Sequence, residues 1–224
     1  MKPAATASPI RAVTFDVGGT LIESCPSVGH IYAAVAEQHG LKGLSVETLN
    51  RQFAAAWRRA TQFRYSRAEW AAIVDATFSG LTEVPPSQTF FEELYDRFSQ
   101  PEAWHVFEDV LPTLEALASR GVKLGVISNW DDRLPPLLRR LKLLDYFETV
   151  AVSCAVGAPK PSRVIFDYAA EKLGLAPEAI LHIGDSPEMD VQGAQAAGFQ
   201  ALLLRRGTKT TGPNCICSLR DLRP

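Results

Sequence analysis

The chain has 224 residues, 46% of them hydrophobic and 21% charged, with a formal net charge of −2. That balance suits a globular protein burying a sizeable core in one large or two modest domains. Lys and Arg are scattered, which argues against a nucleic-acid surface, and no apolar segment approaches the roughly 18 residues of a membrane span. Residues 1–9 are small, polar and Pro-containing, without the apolar core of a signal peptide. This points to the cytoplasm, where the four cysteines are expected as reduced thiols. Cys25 and Cys154 stand alone and read as buried or half-buried, while Cys215 and Cys217 lack the two further ligands of a metal site.

The first element is the apolar run Val13-Thr14-Phe15, which breaks at Asp16, passes Gly18 and Gly19 and returns to Leu21 and Ile22. It reads as a buried strand with a carboxylate at its C-terminal end, the edge at which open α/β sheets bind ligands. Four helices are expected next, over 28–40, 46–63, from Ser66 to about Phe78, and over 89–98. Ser66 followed by Glu69 is a capping box for the third. Residues 24–102 thus read as wholly helical. From about residue 109 strands and helices alternate: helix 112–119, strand 123–128, helix 134–143, strand 149–152, helix 161–173, strand 179–183, helix 188–197 and strand 201–204. This alternation predicts βαβ units and a doubly wound parallel sheet. The helical block interrupts that sheet as an insert, giving a core of 10–23 and 103–224 with a cap of 24–102. The tail from Gly207 is expected on the core's edge, without chemistry.

Each predicted core strand ends in polar residues: Asp16; Ser128-Asn129; Lys160 in the loop after the third; Gly184-Asp185-Ser186, with Asp190 five positions beyond Asp185. All fall on one edge of the sheet. Asp16 and Asp185 can share a hard divalent cation such as Mg²⁺, which screens their repulsion. Ser128 as hydrogen-bond donor and Lys160 as fixed positive charge can cradle phosphoryl oxygens, with Thr20 and Asn129 offering a hydroxyl and an amide to the same volume. Asp190 is expected to orient Lys160 or support the loop. Arg58, in the cap, is a candidate contact for an anionic leaving group.

In this order and setting the clusters resemble the four motifs of the haloacid dehalogenase-like (HAD) hydrolase superfamily with a helical cap, over residues 10–206, and the chain sits near members with an altered first motif. The resemblance implies an α/β Rossmannoid core with an inserted helical cap that closes over the site and selects the substrate. It implies that Asp16 is a nucleophile forming an aspartyl intermediate, usually phosphorylated, with Mg²⁺ as cofactor and the Gly18 carbonyl as a further metal ligand. The expected partner is a small phosphorylated metabolite, with no nucleic acid or membrane, and an apolar cap face would suit either closure or a homodimer.

The chain departs from the pattern at Gly18, where phosphatases of the superfamily carry a second Asp that protonates the leaving group. Three readings follow. Another group, among Glu23, His30, Asp131 and Asp132, substitutes for it. Alternatively the reaction needs no acid, as in the dehalogenases or in phosphonatases; the first fit poorly at Gly18, Gly184-Asp185-Ser186 and Phe166, and the second require a cap lysine, for which only Lys42 is available. Or the protein keeps the fold as a binder or scaffold. The retained Asp185 favours a metal-dependent hydrolase, nominally a phosphatase, with weak or unusual turnover.

Overall fold

The structure, a computed structural model, describes residues 9–60, 63–208, 212 and 214–222. The chain divides into two compact units, one of Met1–Ile22 with Val106–Pro224 and one of Glu23–His105. The first unit carries a six-stranded parallel sheet. In chain order its strands are β1 (Ala12–Phe15), β4 (Lys123–Ser128), β5 (Thr149–Val152), β6 (Ile180–Gly184), β7 (Gln200–Leu204) and β8 (Cys215–Ile216). They lie side by side as β5-β4-β1-β6-β7-β8. The order runs outward in one direction from β1 and then outward in the other, so the switch point flanks β1, where such sheets open a crevice for ligands. In register, Phe15 lies opposite Val126 on one side and Ile183 on the other. The residues just beyond, Asp16, Ser128 and Asp185, therefore emerge together on one edge.

The central strands β1, β4 and β6 are buried on both faces almost throughout, which is why they are largely apolar runs rather than alternating ones. One face presents Ala12, Ile127, Ala151, Ile180 and Ala201 to Ile165, Phe166, Ala169 and Leu173 of α8 (Arg163–Leu173) and Ala194 of α9 (Gly193–Ala196). Small residues on the strands let the helices sit close. Helix α5 (Val110–Ser119) also packs against β4, and α6 (Leu134–Arg140) buries Leu134, Leu137 and Leu138. The expected helix over 112–119 starts two residues earlier, since Pro112 falls in the first turn, where no backbone N–H has a helical partner anyway.

Two expectations are corrected, for a helix and for two cysteines, while the tail lies on the core's edge as expected and supplies the edge strand β8, parallel to β7. The helix expected over 188–197 is split into a wide π turn (Pro187–Gln192) followed by α9. Cys25 and Cys154 are exposed rather than buried; all four cysteines are free. A four-residue helix, α7 (Ser153–Val156), also follows β5 directly.

In the second unit, α1 (Val28–Gln38), α2 (Val46–Arg59), α3 (Arg67–Thr77) and α4 (Phe91–Arg97) enclose a core of Tyr32, Val35, Leu49, Val74, Phe78, Phe90 and Leu94. The predicted capping box of Ser66 and Glu69 is present at the start of α3. Helices α1 and α2 approach at Gly29, whose N–H donates to Asn50 Oδ1 at 2.7 Å; a Cβ there would lie 2.5 Å from the Val46 carbonyl. Helix α2 ends at Arg59, short of the expected 63, and residues 61 and 62 lie outside those described, as do 1–8 of the N-terminal segment. Two three-residue strands not expected from the sequence, β2 (Ile22–Ser24) and β3 (Trp104–Val106), pair where the chain leaves and re-enters the first unit. Among the described residues no helix is long and apolar enough to cross a membrane.

Candidate active site

Lys160 lies at the centre of the edge cluster. Its Nζ donates to Asp16 Oδ1 at 2.6 Å and to Asp190 Oδ1 at 2.5 Å, and all three side chains are buried. Ser128 Oγ donates to the same Asp16 Oδ1 at 3.0 Å. Asn129 does not face this carboxylate: its amide brackets the backbone of Lys160, accepting from the Lys160 N–H at 2.6 Å and donating to the Lys160 carbonyl at 3.0 Å. That clamp fixes the root of the lysine side chain.

Asp190 is held by three groups. Oδ1 accepts from Lys160 and pairs with His182 Nε2 at 3.2 Å, while Oδ2 accepts from the Ser186 N–H at 2.9 Å. The wide turn, in which both Asp190 and Val191 donate to the Ser186 carbonyl, brings the carboxylate back over β6. Gly184 makes room for it, because a Cβ there would lie 2.1 Å from Asp190 Cγ. His182, fully buried on β6, continues the network to Thr14 Oγ1 through Nδ1 at 3.0 Å. In the sequence His182 is one position of an apolar strand, and its polarity inside that run is the signal that marks it.

The electrostatics follow from burial. Desolvation pushes the Asp16 carboxyl up, with Asp190 adding to the rise and Lys160 opposing it. Desolvation would lower Lys160, but the two carboxylates outweigh it and hold the ammonium above its ordinary value. Burial would raise Asp190, yet Lys160 and His182 outweigh it and keep its carboxyl well below the usual range. His182 is driven down by burial, against the pull of Asp190. Asp185 is exposed as a residue, but its carboxyl lies against the Asp16 loop: a Cβ on Gly19 would meet its Oδ2 at 2.4 Å. Partial desolvation, together with the charges of Asp16 and Asp190, raises it to about 6. Gly19 is required twice over, by that approach and by its φ of 76°.

A carboxylate oxygen from each of Asp16, Asp185 and Asp190 lies within 4.8 Å of the others. Hard oxygen donors with unrelieved mutual repulsion at Asp185 fit a small divalent cation such as Mg²⁺. Asp190 already spends both oxygens on protein donors, which leaves Asp16 and Asp185 as the pair that would fit such an ion. Thr20 is fully buried in the Asp16 loop, and its Oγ1 has no hydrogen-bond partner among the described residues. A buried hydroxyl of this kind suits a bound oxygen. Gly18 presents its open side to Trp130, whose Cζ3 would be 3.4 Å from an added Cβ. Of the residues considered to replace the missing acid, Asp131 is bound through both oxygens to the Arg133 guanidinium and Asp132 is exposed. Glu23 and His30 belong to the second unit, where His30 Nδ1 pairs with Ser27 Oγ at 2.8 Å. Arg58 stands exposed on α2 of that unit.

A profile of haloacid dehalogenase-like hydrolases matches residues 10–198. The chain belongs to that family. Among HAD relatives, the haloacid dehalogenase-like hydrolase domain-containing protein 3 of Mus musculus is 36% identical over 207 residues, covering 87% of this chain and 82% of the relative. The phosphoglycolate phosphatase of Shigella boydii is 30% identical over 213 residues, covering 88% and 82%. The crystal structure of a HAD phosphatase from Thermococcus onnurineus superposes with a TM-score of 0.67 at 28% identity, covering 95% of each chain. The HAD assignment makes the chain a hydrolase by family and agrees with its six-stranded parallel core.

Proposed function

We propose that this HAD hydrolase is a Mg²⁺-dependent phosphatase acting on a small phosphorylated metabolite, with Asp16 as nucleophile. The observation that carries the reading is the convergence of Ser128 and Lys160 on one oxygen of Asp16, at 3.0 and 2.6 Å. With Oδ1 anchored, Oδ2 is the atom that attacks phosphorus. Displacement of the leaving oxygen gives an aspartyl-phosphate, and attack of water on that phosphorus returns the free carboxylate and releases phosphate. Lys160, held as an ammonium, and Ser128 neutralise and orient the phosphoryl oxygens. Thr20 Oγ1 supplies a further donor. Mg²⁺ held by Asp16, Asp185 and the Gly18 carbonyl would neutralise phosphoryl charge and position the group for in-line transfer. The phosphatases among the relatives support this reaction class.

Gly18 removes the side chain that would protonate the leaving group, and Asp131, bound to Arg133, does not replace it. Turnover is accordingly weak, since such an acid contributes about 10²–10⁴-fold. The same glycine favours a second reading, a phosphate-binding protein with little turnover. The test is hydrolysis of p-nitrophenyl phosphate with and without Mg²⁺. Metal-dependent release lost in Asp16→Asn supports the enzyme; release at background level from wild type that still binds inorganic phosphate selects the binder.

A further inference from the structure

The loop after Asp16 satisfies most of its backbone internally. The Val17 carbonyl accepts from the N–H groups of Thr20, Leu21 and Ile22, and the Ile22 carbonyl accepts from Gly19. The Thr20 carbonyl instead takes two bonds from a residue 186 positions away: Arg206 Nη2 at 2.7 Å and Nε at 3.2 Å. The same guanidinium forks onto Asp109, at 2.9 and 3.0 Å, and lies 3.8 Å above the Phe107 ring. Asp109 is buried and accepts in addition from Ser218 Oγ at 2.6 Å and from the Leu219 N–H at 2.8 Å.

The chain of contacts therefore runs from the C-terminal segment through Asp109 and Arg206 to the loop that follows the nucleophile. We propose that Arg206 is a positioning residue for the Asp16 loop, aimed by Asp109 and by the segment around Ser218. Several features make it a positioning device rather than surface decoration. A planar fork fixed on one side by a bidentate carboxylate and beneath by an aromatic ring has a single direction left in which to donate. That direction meets the peptide of Thr20, the residue whose buried hydroxyl has no partner among the described residues. The tail is in turn locked in place. Residues 215–216 pair with β7, Ser218 caps the following turn with Asp221, and Leu219 is buried. Burial alone would raise the Asp109 carboxyl, but Arg206, Ser218 and Leu219 outweigh it and keep it ionised as a firm anchor.

The inference rests on Asp16 being the nucleophile, so its test has one readout that depends on turnover and one that does not. Arg206→Met keeps the stem over Phe107 and removes the donors; Arg206→Lys keeps the charge without the fork; Ser218→Ala weakens the anchor from the tail side. Steady-state kinetics on p-nitrophenyl phosphate with Mg²⁺ are expected to show kcat falling by about 10- to 100-fold in Arg206→Met with KM little changed, as small misplacements near a nucleophile do. Partial recovery is expected in Arg206→Lys and a smaller loss in Ser218→Ala. Amide hydrogen exchange of residues 19–22 is expected to speed up in the same order. Ile165→Val, on the buried face of α8, is the control: it lowers stability while leaving kcat and the exchange of residues 19–22 unchanged. Should wild type show no Asp16-dependent turnover, the phosphatase reading fails and the exchange measurement alone decides the role of Arg206. Exchange in residues 19–22 that is the same in Arg206→Met as in wild type would overturn the proposal, as would a kcat loss no larger than that of the control.

Discussion

Replacing Lys160 by Met separates charge from volume at the centre of the site. The ammonium lies between Asp16 and Asp190, at 2.6 and 2.5 Å, and none of the three residues is more than 8% exposed. Met fills nearly the same space, so the cavity contribution is small and the loss is electrostatic. Removing one partner of a buried ion pair costs about 3–5 kcal/mol because the other charge stays buried and uncompensated. Two carboxylates are stranded here, which places Lys160→Met at the upper end. The pH dependence has a definite sign. In wild type the Asp190 carboxyl lies below its unfolded value of about 3.9, so its contribution is present above that pH and is lost as pH falls below it. In the variant, burial and mutual repulsion raise both folded carboxyls above their unfolded values. Folding is then favoured by protonation and weakens as pH rises from about 4. Because Asp16 is already raised in wild type, the gap between the two proteins opens with increasing pH chiefly through Asp190, by at most about 1.4 kcal/mol per pH unit. Urea unfolding in EDTA at pH 5 and pH 7.5, followed by circular dichroism with the two units fitted as separate transitions, measures it. A penalty under about 1 kcal/mol at pH 7.5, or one equally large at pH 5, would refute the assignment of Lys160 as the charge that holds the two carboxylates together.

Other substitutions probe the surroundings. Gly184→Ala drives a methyl into the Asp190 carboxyl, 2.1 Å from Cγ, and is expected to cost about 1–3 kcal/mol, seen as a melting temperature lower by about 2–4 °C per kcal/mol, with loss of turnover. An unchanged melting temperature would count against the packing of Asp190 over β6. Gly18→Asp meets only an ordinary contact with Trp130 at 3.4 Å and no positive φ, so it is expected to fold and to raise phosphate release by about 10²–10⁴-fold. Unchanged turnover in a folded Gly18→Asp protein would remove the explanation offered for weak activity.

The parts of the molecule legible from sequence are those whose signal is local. Strands β4 and β5 are read to the residue as short apolar runs, and the Asp16, Ser128 and Asp185 positions follow from where such runs stop. Strand β8 was not legible, since two residues after a Pro- and Gly-containing stretch carry no periodicity and gain their pairing only from β7. The π turn was hidden because no local signal in its six residues distinguishes a wide turn from the first turns of an α-helix. What it needs, room over Gly184 and a partner in Lys160, lies elsewhere in the chain. Asn129, expected at the ligand, instead holds the Lys160 backbone 31 positions away with both its amide atoms. Arg206 and Asp109 were missed for the same reason, being 97 residues apart and joined to Thr20 only through the fold. His182 shows the reverse case, a buried polar side chain inside an apolar strand, where a search for its partner leads to Asp190.

The central claim is that Asp16 carries the phosphoryl group between two displacements. The direct measurement is acid quench of the enzyme during turnover of a labelled phosphomonoester in the presence of Mg²⁺, followed by peptide mapping of the label. Label on the peptide containing residue 16, stable to acid and released by hydroxylamine as an acyl phosphate is, and absent from Asp16→Asn, is the predicted result. Phosphate release with no label on that peptide, or label that persists in Asp16→Asn, would contradict it.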